Sequence, residues 1–120
     1  MNITIDFPNG YRPNVFISQP MSGRTDDEIL TVRNEAIQRI HEKWPNAKII
    51  DSLFSDTIAT GNIGLKYLAR SLEILAEADV AWFCREWDTA RGCRIENQCA
   101  IEYGIPLVIE DYTDPPKEER

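Results

Sequence analysis

Short apolar runs alternate along this chain with longer stretches whose apolar residues recur every three or four positions, and turn or capping residues mark each change of period. Residues 15–18 (VFIS), 48–51 (KIID), 79–84 (DVAWFC) and 106–110 (PLVIE) read as strands. A short edge strand is also expected over residues 3–7 (ITIDF), ahead of the two prolines and the Asn-Gly turn signal of FPNGYRPN. The first helix has a well-marked start. Thr25 can cap with its hydroxyl while Glu28 reaches back, and Asp26 and Asp27 suit the first turn. Ile29, Ala36, Ile37, Ile40 and Trp44 trace its apolar face, and Pro45 and Asn46 end it. A second helix is expected over residues 63–78, with Leu65, Leu68, Leu72 and Leu75 as its stripe. The third, over residues 93–103, should turn Ile95, Cys99 and Tyr103 to the sheet and hold Glu96 beside that stripe near the helix mouth. Gly104 supplies its left-handed cap and Pro106 prevents continuation.

The order strand, helix, strand, helix, strand, helix, strand closes by right-handed crossovers into a parallel sheet covered on both faces, a small doubly wound α/β domain. One domain over residues 1–112 accounts for the pattern. Residues 113–120 are charged, proline-rich and poor in apolar residues, so a disordered tail is expected there.

In such a sheet ligands bind outside the carboxyl ends of the strands, which directs attention to the loops after the first and third strands. SQPMSGR joins a strand end to a helix N-terminus, so its amides converge with a positive dipole behind them. Ser18, Gln19, Pro20, Ser22, Gly23 and Arg24 are therefore candidate ligand contacts, with Gly23 allowing close approach and Arg24 supplying a fork for phosphate. Pro20-Met21 can equally be only a tight turn. The loop lacks a Walker lysine and the dinucleotide glycine spacing, so neither motif supports ATP hydrolysis or NAD binding. In the second loop Trp87, Asp88, Arg91 and Gly92 precede the third helix. Trp87 has either a packing role or a flat face for a stacked base, and Arg94 suits an ordinary salt bridge. Glu96 and Asp79 are the candidate catalytic carboxylates. The simpler roles open to them are complementing the helix dipole for Glu96 and capping the entry to its strand for Asp79.

Composition narrows the partners. Twenty acidic against thirteen basic residues give a net charge of -7, with no run of Lys or Arg, which disfavours a nucleic-acid backbone but leaves room for a small anion bound by local amides and one Arg. The three cysteines lack metal-knuckle spacing and the one histidine, His41, is distant, so no metal and no cofactor are expected. Cys84 suits the sheet core and Cys99 the buried helix face. Cys93, at a helix N-terminus between Arg91 and Arg94, is expected to have a lowered pKa, although a structural role is the simpler reading. With no basic-then-apolar start and no segment of spanning length, a soluble, cytoplasmic protein without a membrane partner is expected.

Three segments, VFISQPMSG, LARSLEILAEADVAWF and GCRIENQCAIEYGIP, resemble the nucleoside 2-deoxyribosyltransferase-like superfamily, and within it a small branch common in bacteria and their phages. The resemblance spans residues 14–110 and is strongest in Gly92, Glu96, Ala100, Gly104, Ile105 and Pro106. It implies a flavodoxin-like or Rossmann-like fold with a nucleoside or nucleotide as the small-molecule partner. Glu96 would be the nucleophile that attacks the anomeric carbon of a deoxyribose, as transferase or hydrolase. It also implies 5′-phosphate contacts from Ser18, Ser22, Gly23 and Arg24, and a homodimer or larger oligomer in which a neighbour completes the pocket. Leu65, Tyr67 and Leu68 are the expected contact helix, and Phe54, Tyr67, Trp82 and Trp87 are aromatics available to an interface. One position departs from the pattern. Active relatives carry an aspartate eight residues before the Asp79 position, where this chain has Ser71, with Glu73 nearby; serine cannot supply a charge, and Asp51, Asp56 or Asp88 would have to substitute. A non-catalytic nucleotide sensor or sponge is the alternative, and a structural assembly protein with no ligand is a third reading.

Overall fold

Why the apolar runs alternate is visible in the sheet. The computed structural model describes residues 5–52 and 58–110, and in it β1 (Asn14–Ser18), β2 (Lys48–Ile49), β3 (Val80–Phe83) and β4 (Leu107–Ile109) form one parallel sheet in the order β2-β1-β3-β4. Val15 pairs with Val80 and Ser18 with Phe83, and Phe83 in turn with Ile109. Successive side chains point to opposite faces. Val15, Ile17, Val80, Trp82 and Cys84 pack with Ala36 and Ile40 of α1 (Asp26–Lys43) and with Trp44, which caps it. Phe16, Ala81 and Phe83 pack with Leu75 of α2 (Ile63–Leu75) and Ala100 of α3 (Arg91–Glu102). The sheet is thus buried on both sides, and the domain is a small doubly wound α/β fold.

From β1 the chain crosses through α1 to one edge, and from β3 it crosses through α3 to the other. The adjacent strands β1 and β3 therefore flank a topological switch point, where a crevice opens at their carboxyl ends. The α1 capping box forms as expected, with Thr25 accepting from the Glu28 amide and the Glu28 carboxylate accepting from the Thr25 amide. Gly104 has φ +73, the left-handed value a helix stop uses. No helix among the described residues is long and apolar enough to cross a membrane.

Several expectations need correction. Of the edge strand placed at residues 3–7, residues 5–7 form none and residues 3 and 4 lie outside the described residues, as does the tail beyond residue 110. The second strand is two residues long, so Asp51 lies past its end, and α2 stops at Leu75 rather than residue 78. Leu65 is 61% exposed, because only the C-terminal half of α2, with Leu72 and Leu75, reaches the core. The rotation of α3 also differs. Cys93, Glu96, Asn97 and Ala100 form its buried face, whereas Ile95 is exposed and Tyr103 is 83% exposed. These four positions share a face at helical spacing, and small Cys93 and Ala100 let the helix lie close to the sheet. The consequence is that Glu96 points inward.

Candidate functional site

A cleft of about 950 Å³ lies over the switch point, walled by the loop after β1, the first turns of α1, α2, and the start of α3. Glu96 lies against it, only 7% exposed. Its Oε1 accepts a 2.6 Å hydrogen bond from Ser18 Oγ, the last residue of β1, and Ser71 of α2 lines the cleft with a hydroxyl that favours the ionised carboxylate. Burial pushes the Glu96 carboxyl up to about 7, against the pull of the Ser18 and Ser71 hydroxyls, which favour the charged form. Asp26, in the first turn of α1, is the other carboxylate among the lining residues.

The Ser18 hydroxyl that donates to Glu96 also favours the charged form of the Cys93 thiol. The expected lowering of the Cys93 pKa is corrected: burial pushes the thiol up to about 11, outweighing Ser18, Arg24 and Arg94, so Cys93 is a neutral wall group at ordinary pH. On the α1 side, Gln19 Nε2 donates to the Ile29 carbonyl at 3.0 Å while its Oε1 is buried without a partner among the described residues. Ser52, just past β2, donates to the Ile17 carbonyl and accepts from Arg33, a buried guanidinium whose pKa burial lowers.

The phosphate loop expected at residues 18–24 is rearranged by its own contacts. Gly23 takes φ +78 and the Arg24 amide closes a turn on the Met21 carbonyl, so the turn is centred on Ser22-Gly23 rather than on Pro20-Met21. Arg24 Nη2 is held 2.8 Å from Glu86 Oε1, and neither Arg24, Gly23 nor Pro20 lines the cleft; Gln19, Met21 and Ser22 do. Arg91 is the cation of the lining. Its guanidinium lies over Gly64 at the start of α2, where an added Cβ would be 3.5 Å from Nη2, and it forms no ion pair among the described residues. Gly92 lines the cleft beside it, with open space where a Cβ would stand.

Comparison with family models, with curated proteins and with solved structures gives no match. What the cleft can do therefore follows from the groups it contains.

Two sequence assignments fall away from those groups. Asp79 accepts hydrogen bonds from Tyr11 Oη and the Asn14 amide, each at 2.8 Å, at the amino end of β3, so it ties the sheet's far end and is no partner of Glu96. Trp87, partly buried, meets Phe83 edge-on with centroids 5.6 Å apart and packs against the core; it does not line the cleft. Tyr67 is the aromatic that lines the cleft. Asp51 and Asp88 do not line it, and Asp56 lies outside the described residues. Sequence reasoning missed Asp26, Ile29, Leu30 and Ser52 as wall residues. Ser52 had a usable signal, its position immediately past a strand's carboxyl end. For Tyr67 and Leu68 the signal was a second helix with more apolar residues than one stripe can hold.

Proposed function

We propose that the cleft binds a deoxynucleoside or its 5′-monophosphate and that Glu96 breaks the N-glycosidic bond. The observation that carries this reading is Glu96 itself, a carboxylate at the strand ends, buried against an open cleft and held by hydroxyls rather than neutralised by a cation. With its pKa near 7 a large fraction is ionised at neutral pH, yet poorly solvated, which favours nucleophilic attack. A carboxylate oxygen bonds to C1′ as the C1′–N bond breaks and its electron pair leaves with the base. The base takes a proton from solvent. Water then adds at C1′ and gives up a proton to solvent as the ester C1′–O bond breaks and the carboxylate returns; a second base adding through its nitrogen, with loss of that nitrogen's proton, gives transfer. Arg91 is the cation suited to a 5′-phosphate, and Tyr67 the aromatic suited to a base.

The second reading, a nucleotide sensor or sponge, draws on Ser71, whose hydroxyl favours ionised Glu96 but supplies no charge where the resembling enzymes have an aspartate. Incubation with the four deoxynucleosides and their monophosphates, with free base read by chromatography, separates the two. Release by the parent and not by Glu96→Gln supports catalysis, whereas binding without release supports the sensor. The reading extends to a homo-oligomer joined near exposed Leu65 on α2, beside the cleft. Light scattering tests it, and a mass near one 13.8 kDa chain would count against it.

A further inference from the structure

Gln19 occupies the cleft wall opposite the Ser18–Glu96 bond, since neighbouring residues at a strand end project to opposite faces of the sheet. Its side chain is 5% exposed and its orientation is fixed: Nε2 donates to the Ile29 carbonyl, so the oxygen cannot exchange places with the nitrogen without facing two acceptors together. Oε1 is then left buried with no donor among the described residues. Such a group is costly unless something else supplies the hydrogen bond, and a side chain that holds it beside a ligand-sized cleft has a reason to be there. Asn97 also has an unpartnered buried atom, Nδ2, but Asn97 does not line the cleft.

We propose that Gln19 determines specificity in the cleft: its Oε1 accepts a hydrogen bond from a neutral N–H or O–H donor of the ligand, so that ligands lacking that donor are rejected. This rests on the nucleoside reading, in which the donor is a sugar hydroxyl or a base N–H. The acceptor is shut from solvent in the free protein, and the donor reaches it by movement of the neighbouring wall. Met21 and Leu30, which line the same wall, are exposed and can change rotamer at little cost. A site built to satisfy a buried acceptor discriminates strongly against analogues that leave it bare, because the polar group stays unpaired in the complex.

The test is calorimetry on the parent and on Gln19→Met, which keeps length and loses the oxygen. The probes are the tightest-binding of the four 2′-deoxynucleosides, its 3′-deoxy form, and its form with the base N–H donors removed or methylated. One of the two analogues is expected to bind the parent at least about tenfold more weakly, and that gap should shrink to within about twofold in Gln19→Met. A gap for the 3′-deoxy form assigns the donor to the sugar; a gap for the modified base assigns it to the base. If both analogues bind the parent as tightly as the full nucleoside, or the gap survives in Gln19→Met, the inference is overturned while nucleoside binding stands. If none of the deoxynucleosides binds, the nucleoside reading itself fails. Where Gln19→Met does not fold, the same gaps are read in Gln19→Leu, with the same outcomes.

Discussion

Two carboxylates of this small domain are equally hidden from water and differently treated. Glu110, after β4, is 9% exposed and Glu96 is 7% exposed. Glu110 Oε2 accepts from the Trp82 indole at 2.7 Å and lies 3.4 Å from Arg39 Nη1, while its Oε1 accepts from the Arg85 amide. Each oxygen has a donor and one donor is a cation, so the group fastens the end of β4 to β3 and α1. Glu96 has the Ser18 hydroxyl as its donor, makes no ion pair among the described residues, and lies beside a cleft. Burial alone therefore does not mark a functional acid. What distinguishes Glu96 is that the fold raises the cost of its charge and leaves a ligand the room to meet it.

The largest expected effect is on chemistry. On the proposed reading, Glu96→Gln should lower base release by roughly a thousandfold or more, because the shape is kept and the attacking charge is lost. Glu110→Gln, assayed at a temperature where it is folded, should stay within about tenfold of the parent. Comparable losses in both would erase the functional distinction between the two sites.

The next contrast is in stability, and its sign is opposite for the two residues. The folded-state pKa of Glu96 is about 7 against roughly 4.3 for an unfolded glutamate, so between those values the folded chain holds a proton the unfolded chain has released. The stability this contributes is fully present below about pH 4 and is lost as pH rises through 7. At pH 8, Glu96→Gln should then be more stable than the parent by on the order of 3–4 kcal/mol, measured by denaturant unfolding, with the advantage fading toward pH 4. A pH-independent difference between the two would show that burial does not strain this carboxylate.

For Glu110, replacement should cost rather than gain. Glu110→Ala leaves the Trp82 indole N–H without its acceptor and is expected to lose about 2–3 kcal/mol, while Glu110→Gln keeps an acceptor and should lose about 1–2 kcal/mol. Arg39→Ala should cost under about 1 kcal/mol, since that side chain is half exposed and its ion pair is screened. A stabilising Glu110→Ala, read in the same unfolding experiment, would remove the structural half of the comparison.

This division was only partly legible in the sequence. Period and capping placed β1, β3, β4 and the start of α1, because those signals are local: VFIS and DVAWFC are buried on both faces, and Thr25 meets Glu28 within one turn. The rotation of α3 was not legible. Ile95 and Tyr103 are the more apolar residues, yet the small side chains at Cys93 and Ala100 decided which face could approach the sheet and carried Glu96 inward with them. Asp79 and Glu96 look alike as acids beside a strand; only the strand's direction, fixed by tertiary pairing, puts one at each end of the sheet. Arg24 and Arg91 were likewise indistinguishable until Glu86, at the left-handed φ of 66°, was placed to capture the first.

The smallest expected effect tests the hydroxyls that stand where Glu110 has a cation. Ser18 and Ser71 both favour ionised Glu96, and Ser18 is the stronger of the two. If base release follows the ionised carboxylate, the rate should rise with pH through a midpoint near 7 in the parent. Removing a hydroxyl that favours the charge must move that midpoint upward. Ser18→Ala is expected to raise it by roughly half to one unit, as the loss of one modest hydrogen bond implies, and Ser71→Ala by less. The plateau rate at high pH should change far less than in Glu96→Gln, because the nucleophile is still present once ionised. Titration of the Glu96 carboxyl by NMR gives the same midpoint without turnover, so the test also holds if the protein binds a nucleotide and leaves it intact. A midpoint that falls, or that ignores both substitutions, would mean that Glu96 is held by something other than these two serines.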